Sequence, residues 1–253
     1  MSFHDREEKI MSILREKNSI RCSELAKLLY VSISTLRRDL EKLEAENLIV
    51  KEHGLCRISS HIRDGKCYYH SRERQENIAK NQIARLAVDY IKDGDTIMLE
   101  GSSTTFNIVQ YLEGYRNLLV ISNSAKVSLA LGNMNIKNIS TGGKMSDQTF
   151  SFVGQEAINT IKNYNADVLF FSSMGLSEDG YLTDSNKEEN DITKEMMKYA
   201  AKKVALIDSS KVGKKYVYNL CHITEVDEVI CEEELPDYIK KAITTKSNKN
   251  AGD

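Results

Sequence analysis

Five short stretches carry side chains able to hold a small anion: "EGSSTT" from Glu100, "SNS" from Ser122, "STGGK" from Ser140, "FSSMG" from Phe171 and "DSSKVG" from Asp208. In the first, Gly101, Ser102, Ser103, Thr104 and Thr105 offer unpaired backbone N–H groups and four hydroxyls at the start of a helix, whose dipole favours a phosphate. Gly142 and Gly143 permit close backbone approach, Lys144 and Lys211 supply positive charge, and Asn123 and Asp208 can bond sugar hydroxyls. Ser172, Ser173, Ser209 and Ser210 add hydroxyls at two further positions. The Gly-Lys-Ser/Thr of a triphosphate loop and the spaced glycines of a dinucleotide fingerprint are both missing, so a single phosphate is the better match. Each stretch also has a plain reading, since Ser/Thr turns cap helices and lysines sit on surfaces.

What must position them is a set of strands. Apolar runs "TIML", "LLVIS", "IKNIST", "DVLFFS", "KVALID" and "EVI" alternate with helical segments, the pattern of βαβ units and a mostly parallel sheet. The polar stretches follow the runs directly. In open parallel sheets ligands bind beyond the carboxyl ends of the strands, so five coordinated strand ends favour the functional reading. A helix over "AKNQIARLAVDYI" precedes the first strand and is expected to stop at Gly94.

A second constellation lies near the N-terminus. In "VSISTLRRDLEKLE" the residues Ile33, Leu36, Leu40 and Leu43 recur at helical spacing and predict a buried face. Ser34, Thr35, Arg37 and Arg38 then point outward from the first turns, where Arg can pair with guanine and Ser or Thr with bases or phosphates. Ser32 is placed to cap this helix and Ser23 to cap a shorter one, "ELAKLLY", before it. Two helices joined by so short a turn predict a helix-turn-helix. "LIVKE" and "CRISSH" around His53-Gly54 predict a two-stranded wing, whose Lys51 and Arg57 could meet phosphates. An isolated charged helix face is usually just solvated; the caps, tight turn and wing weigh against that here.

Bulk properties set limits. The 253 residues, 41% hydrophobic and 28% charged with a net charge of -2, describe a globular chain with no overall bias toward nucleic acid or membrane. Residues 1–60 hold eleven Lys/Arg against ten Asp/Glu, so a DNA-binding face must arise by placement, with carboxylates on the far side. No signal-peptide core or membrane-length apolar run occurs, and a cytoplasmic location is expected. Five cysteines at irregular spacing argue against structural disulfides. Cys56, His61, Cys67 and His70 fit no compact zinc motif, and neither metal nor cofactor is expected.

The segments "SELAKLLYVSISTLRRDLEKLE" and "LIVKEHG" resemble the N-terminal signature of the DeoR family of bacterial transcription regulators, with Lys51 and Leu55 departing from it. The second half resembles the DeoR C-terminal sensor domain through "DGDTIMLEGSSTT", "TGGK", "FFSSMGL", "GYLTDSNKEE" and "DSSKVG". That resemblance implies a fold related to sugar-phosphate isomerases and a phosphorylated sugar or related metabolite as effector. It carries effector contact to Ser102, Ser103, Thr104, Asn123, Gly142, Gly143, Asp208 and Lys211. Asn190, Thr193 and Lys194 stand where the family often has Ala, Lys and Arg, which alters how a phosphate would be held.

The expected organisation is therefore a winged helix-turn-helix over 1–60, a linker over 61–77, an α/β sensor domain over 78–239 and a polar tail over 240–253. The DNA-binding set is Ser32, Ser34, Thr35, Arg37, Arg38, Lys51, His53 and Arg57. The expected function is a repressor of carbohydrate genes that binds an operator as a homo-oligomer and is not an enzyme. The alternative is a sugar-phosphate isomerase with a DNA-binding appendage, using Glu100, Asp184 or Asp208 as base.

Overall fold

The structure is a computed structural model that describes residues 3–45, 48–59, 77–146, 149–237 and 239–240. It divides into two compact units, residues 1–68 and 69–253. All but Asn77 of the expected linker, and the tail beyond Lys240, lie outside the described residues.

The first unit runs α1 (Phe3–Lys17), β1 (Ser19–Arg21), α2 (Cys22–Leu28), α3 (Ile33–Ala45), β2 (Ile49–Glu52) and β3 (Leu55–Ile58). Ile10 and Leu14 of α1, Leu25 of α2, Leu36, Leu40 and Leu43 of α3, and Ile49 and Cys56 of the strands form its core. The wing has three strands rather than the expected two, because β1 pairs antiparallel with β3 on the side opposite β2. His53 and Gly54 form its tight turn with φ of 50° and 78°, the left-handed geometry that suits a two-residue hairpin.

Two sequence expectations fail here for identifiable reasons. Ser23 does not cap α2. The helix starts two residues earlier, at the end of β1, and its first N–H, from Cys22, donates to the wing-turn carbonyl of Gly54 at 2.9 Å. Ile33 is not in the core. It is the first residue of α3 and remains 57% exposed, while Asp39 joins Leu36, Leu40 and Leu43 on the buried side. Ile33 lies within about 20° of Leu40 around the helix, but it opens α3 nearly two turns before Leu40, and the buried stripe begins only at Leu36. Asp39 is buried because Arg6 of α1 clamps it, Nε to Oδ2 at 2.6 Å and Nη2 to Oδ1 at 2.9 Å. One of the carboxylates expected on the far side thus joins α1 to α3.

The second unit runs α4 (Asn77–Ala87), β4 (Thr96–Leu99), α5 (Ser103–Phe106), β5 (Leu119–Ser122), α6 (Ala125–Asn133) and β6 (Asn138–Ser140). The short pair β7 (Lys144–Met145) and β8 (Phe152–Val153) follows, then α7 (Gln155–Ile161), β9 (Ala166–Phe171), β10 (Gly175–Leu176) and β11 (Tyr181–Asp184). It closes with α8 (Lys187–Lys198), β12 (Ala200–Leu206), β13 (Tyr218–His222) and β14 (Glu228–Ile230). The six predicted strands form one parallel sheet in the order β14-β12-β9-β4-β5-β6. Its alternating residues feed two cores: Met98, Ile121, Leu169 and Phe171 on one face, Ile97, Val120, Val168 and Phe170 on the other. Burial on both faces is why these strands read as continuous apolar runs. A smaller antiparallel sheet, β10-β11-β13, stands beside α8.

Gly94 does not end α4. The helix gives way at Ala87 to a single 3-10 turn, and Ile91, drawn into the core, becomes extended at φ −106°. Gly94 sits in the turn that follows, where Asp95 N–H donates to Lys92 O.

Candidate functional site

The strand order locates the site. From β4 the chain moves outward through β5 to β6, then crosses back to β9, β12 and β14 on the other side. Connections leave in opposite directions at β4 and β9, which opens a crevice beyond their carboxyl ends. Glu100, Gly101 and Ser102 follow β4 there and Ser172 follows β9. The neighbouring β12 delivers Asp208 to Lys211.

Lys211 ties the three strand ends together. Its buried ammonium donates to Ser172 Oγ at 2.8 Å and Thr104 Oγ1 at 3.4 Å, and lies 3.2 Å from Asp208 Oδ2. Burial pushes the Asp208 carboxyl up, but the Lys211 charge, hydrogen bonds from Ser210 and Lys211, and the charge of Lys80 outweigh it, so the pKa is lowered overall. Lys80 of α4 is itself only 4% exposed. Nothing in "AKNQ" marks it as a site residue, since its burial depends on how α4 packs.

The Ser/Thr loop is largely engaged with itself. Ser102 Oγ accepts from Thr105 N–H at 3.2 Å, and Thr105 Oγ1 donates to the Glu100 and Ser102 carbonyls. Glu100 is buried and accepts from the N–H groups of Ser102 and Ser172. The helix expected to supply a dipole, α5, is four residues long, and so few aligned peptides add little charge at its start. Gly101 is required for a different reason: a Cβ there would lie 2.1 Å from Ser151 Oγ. Asn123 donates to Phe152 O at 3.2 Å, while its Oδ1 and the Ser103 hydroxyl are buried without hydrogen-bond partners.

Between these strand ends and α8 lies a cavity of about 10 Å³ lined by Glu100, Gly101, Ser102, Thr149, Ser172, Asp184, Glu189, Asn190 and Thr193. That is room for about one water. Glu189 accepts from Thr149 Oγ1 and from Ser146 Oγ, so the segment carrying β7 and β8 is fastened to α8 across it. Two of the positions that depart from the family pattern, Asn190 and Thr193, face this cavity, whereas Lys194 is exposed and donates to Asn219 O. Lys144 is not gathered in: it is 68% exposed and pairs with Glu188 at 3.4 Å. Gly142 and Gly143 have φ of 62° and 108° in the turn before it.

In the first unit Ser32 Oγ accepts from Thr35 N–H at 3.1 Å, capping α3 as expected, and hydrogen-bonds the hydroxyls of Ser34 and Thr35. Arg37 and Arg38 are exposed and make no ion pair or hydrogen bond among the described residues. The wing cations differ. Lys51 pairs with Glu44 at 2.8 Å and Arg57 with Glu52 at 3.0 Å, so each already has a carboxylate. Hydrogen bonding from the Lys51 side chain holds the Glu44 carboxyl below its usual range. His53 is exposed at the wing turn. Of Cys56, His61, Cys67 and His70, only Cys56 lies within the described residues, buried, with its thiol pushed up to about 12 by desolvation.

A winged helix-turn-helix with two unpaired arginines on its third helix, joined to an α/β unit with a polar crevice at its strand switch, defines a class of ligand-responsive regulators. The profile of the DeoR-like helix-turn-helix domain matches residues 6–61 and that of the DeoR C-terminal sensor domain residues 75–233, and the chain belongs to the DeoR family. It is 32% identical to the transcriptional regulator YulB of Bacillus subtilis strain 168, over 97% of this chain and 95% of that one. It is 31% identical to the lactose phosphotransferase system repressor of Staphylococcus epidermidis, over 92% and 93%. It is also 31% identical to the L-fucose operon activator of Escherichia coli K12, over 90% and 94%. Among solved structures, ribose 5-phosphate isomerase A of Methanocaldococcus jannaschii superposes with a TM-score of 0.42 at 19% identity, covering 55% of each chain.

Proposed function

We propose that this DeoR-family regulator represses carbohydrate-utilisation genes and leaves its operator when a phosphorylated sugar or related metabolite binds at the β4/β9 crevice. The observation that carries the reading is Lys211, buried where three strand ends meet and bonded to Ser172 and Thr104. In this reading an effector phosphate competes with Asp208 for the Lys211 ammonium, and effector hydroxyls satisfy Asn123 Oδ1 and Ser103 Oγ. The cavity is too small for such a ligand as it stands. Binding therefore parts Thr149 and Ser146 from Glu189 and moves the β7–β8 segment off α8.

We read the chain as cytoplasmic and as a homo-oligomer whose paired helix-turn-helix modules hold two half-sites. Among the described residues no helix is long and apolar enough to cross a membrane. The effector shifts DNA affinity only through its different affinity for the two states, with a coupling of about 1–3 kcal/mol. The carboxylates a catalytic reading would recruit are engaged structurally. Glu100 accepts from two backbone N–H groups, Asp208 faces Lys211, and Asp184 accepts from the N–H groups of Ser185 and Asn186.

The test is fluorescence anisotropy of a labelled duplex from upstream of the protein's own coding region, with sugar phosphates added singly to the preformed complex. Release by one compound at concentrations that leave a non-cognate complex intact is expected. A complex that every compound leaves unchanged, or that one compound tightens, would contradict the proposal.

A further inference from the structure

The helix-turn-helix presents two large apolar side chains to solvent beside its free arginines. Ile33 opens α3 at 57% exposure and Tyr30, in the turn before it, is 96% exposed. Tyr30 also holds φ at 54°, a left-handed conformation in which a bulky side chain is strained. That conformation closes α2, where Tyr30 N–H donates to Lys27 O and Val31 N–H to Ala26 O, each at 3.1 Å. The fold gives no packing return, however, for so large a ring at this position, where glycine is usual.

Placement on the helix connects these residues to the DNA-reading side. Ile33 and Arg37 are four residues apart, so their side chains lie about 40° apart around α3 and on neighbouring turns. Tyr30 and Val31 share a groove with Arg6 and Lys9 of α1, so cations flank the apolar edge on that side. An apolar group at the start of a recognition helix has one distinctive partner in the major groove, the C5-methyl group of thymine.

We propose that Ile33 reads a thymine methyl in each operator half-site and that Tyr30 packs against the adjoining sugar-phosphate backbone. The surface that binds DNA is then continuous from Tyr30 through Ile33 to Arg37, with the Ser32 hydroxyl bonds fixing the first turn between them. The proposal rests on DNA binding by this domain and adds to it a determinant of sequence preference.

The test uses the full-length chain and a duplex it selects from a random pool. Each thymine is replaced in turn by deoxyuridine, which removes the methyl group and nothing else. Wild type should lose about fourfold in affinity at one position per half-site, the worth of one buried methyl. Ile33→Ala should bind the parent duplex correspondingly more weakly and be indifferent to deoxyuridine at that position. Tyr30→Gly should raise the thermal midpoint, by relieving the left-handed strain, while weakening binding to every duplex about equally. Deoxyuridine penalties that persist unchanged in Ile33→Ala, or Tyr30→Gly binding as wild type does, would overturn the proposal while leaving DNA binding in place. Absence of salt-dependent binding by any variant would overturn both readings together.

Discussion

At the scale of single residues the decisive features are charged groups whose neighbours were invisible in sequence. Lys211 was legible as a cation at a strand end; that it would be buried between Thr104, Ser172 and Asp208 was not. Asp39 reads as one more surface carboxylate beside two arginines, yet it is buried on Arg6, thirty-three positions away. Ile33 shows the converse, an apolar residue in register with a buried stripe that begins one turn later. Lys80 leaves no local signal at all. The Lys211–Asp208 pair has a consequence in pH. Asp208 has a lowered pKa in the folded protein, so its contribution to stability is full above the ordinary aspartate range near ~4 and is lost as pH falls through the lowered value. In Lys211→Met the carboxyl loses its main counter-charge and burial raises its pKa. The stability deficit of that variant should therefore be largest at neutral pH and shrink on acidification to about pH 3. Urea unfolding at both pH values measures this, and a deficit unchanged by acid would show that Asp208 is not the partner.

Elements were easier to read than their arrangement. The six parallel strands fell where apolar runs ended in polar residues, because a sheet covered on both faces leaves that mark in the chain. The small strands β7, β8, β10, β11 and β13 escaped, being two to five residues long and partly polar. The third wing strand was missed because "SIR" carries too little pattern. Strand order, which places the crevice between β4 and β9, is a long-range property that no local window contains. In the first unit, α1 is held to α3 by the Arg6–Asp39 pair as well as by Ile10 and Leu14. Asp39→Ala should lower the unfolding free energy by about 3 kcal/mol, since it removes the carboxylate that a mostly buried guanidinium bonds twice. Asp39→Asn, which keeps an acceptor, should cost less. Thermal unfolding of the two variants decides it, and equal midpoints to wild type would make the pair incidental.

For the molecule as a whole, two units carry two chemistries: a module with two adjacent unpaired arginines on its third helix, and an α/β unit in which Lys80 and Lys211 are buried near Asp208. The near-zero net charge concealed this, because the first unit hides its positive face by pairing Lys51, Arg57 and Arg6 with Glu44, Glu52 and Asp39 and leaving Arg37 and Arg38 open. Lys211→Ala should leave operator affinity within about twofold of wild type and blunt the response to effector, because coupling and binding are separate free energies. An unchanged effector dose response would remove Lys211 from the pocket. One titration decides whether α3 reads DNA through Arg37 and Arg38. Binding of the upstream duplex is followed across a salt series for wild type and for the double variant Arg37→Ala/Arg38→Ala. Tight wild-type binding whose logarithm falls linearly with log salt is expected, with the double variant at least about tenfold weaker at every salt concentration. A double variant with wild-type affinity and wild-type slope would contradict that role for α3.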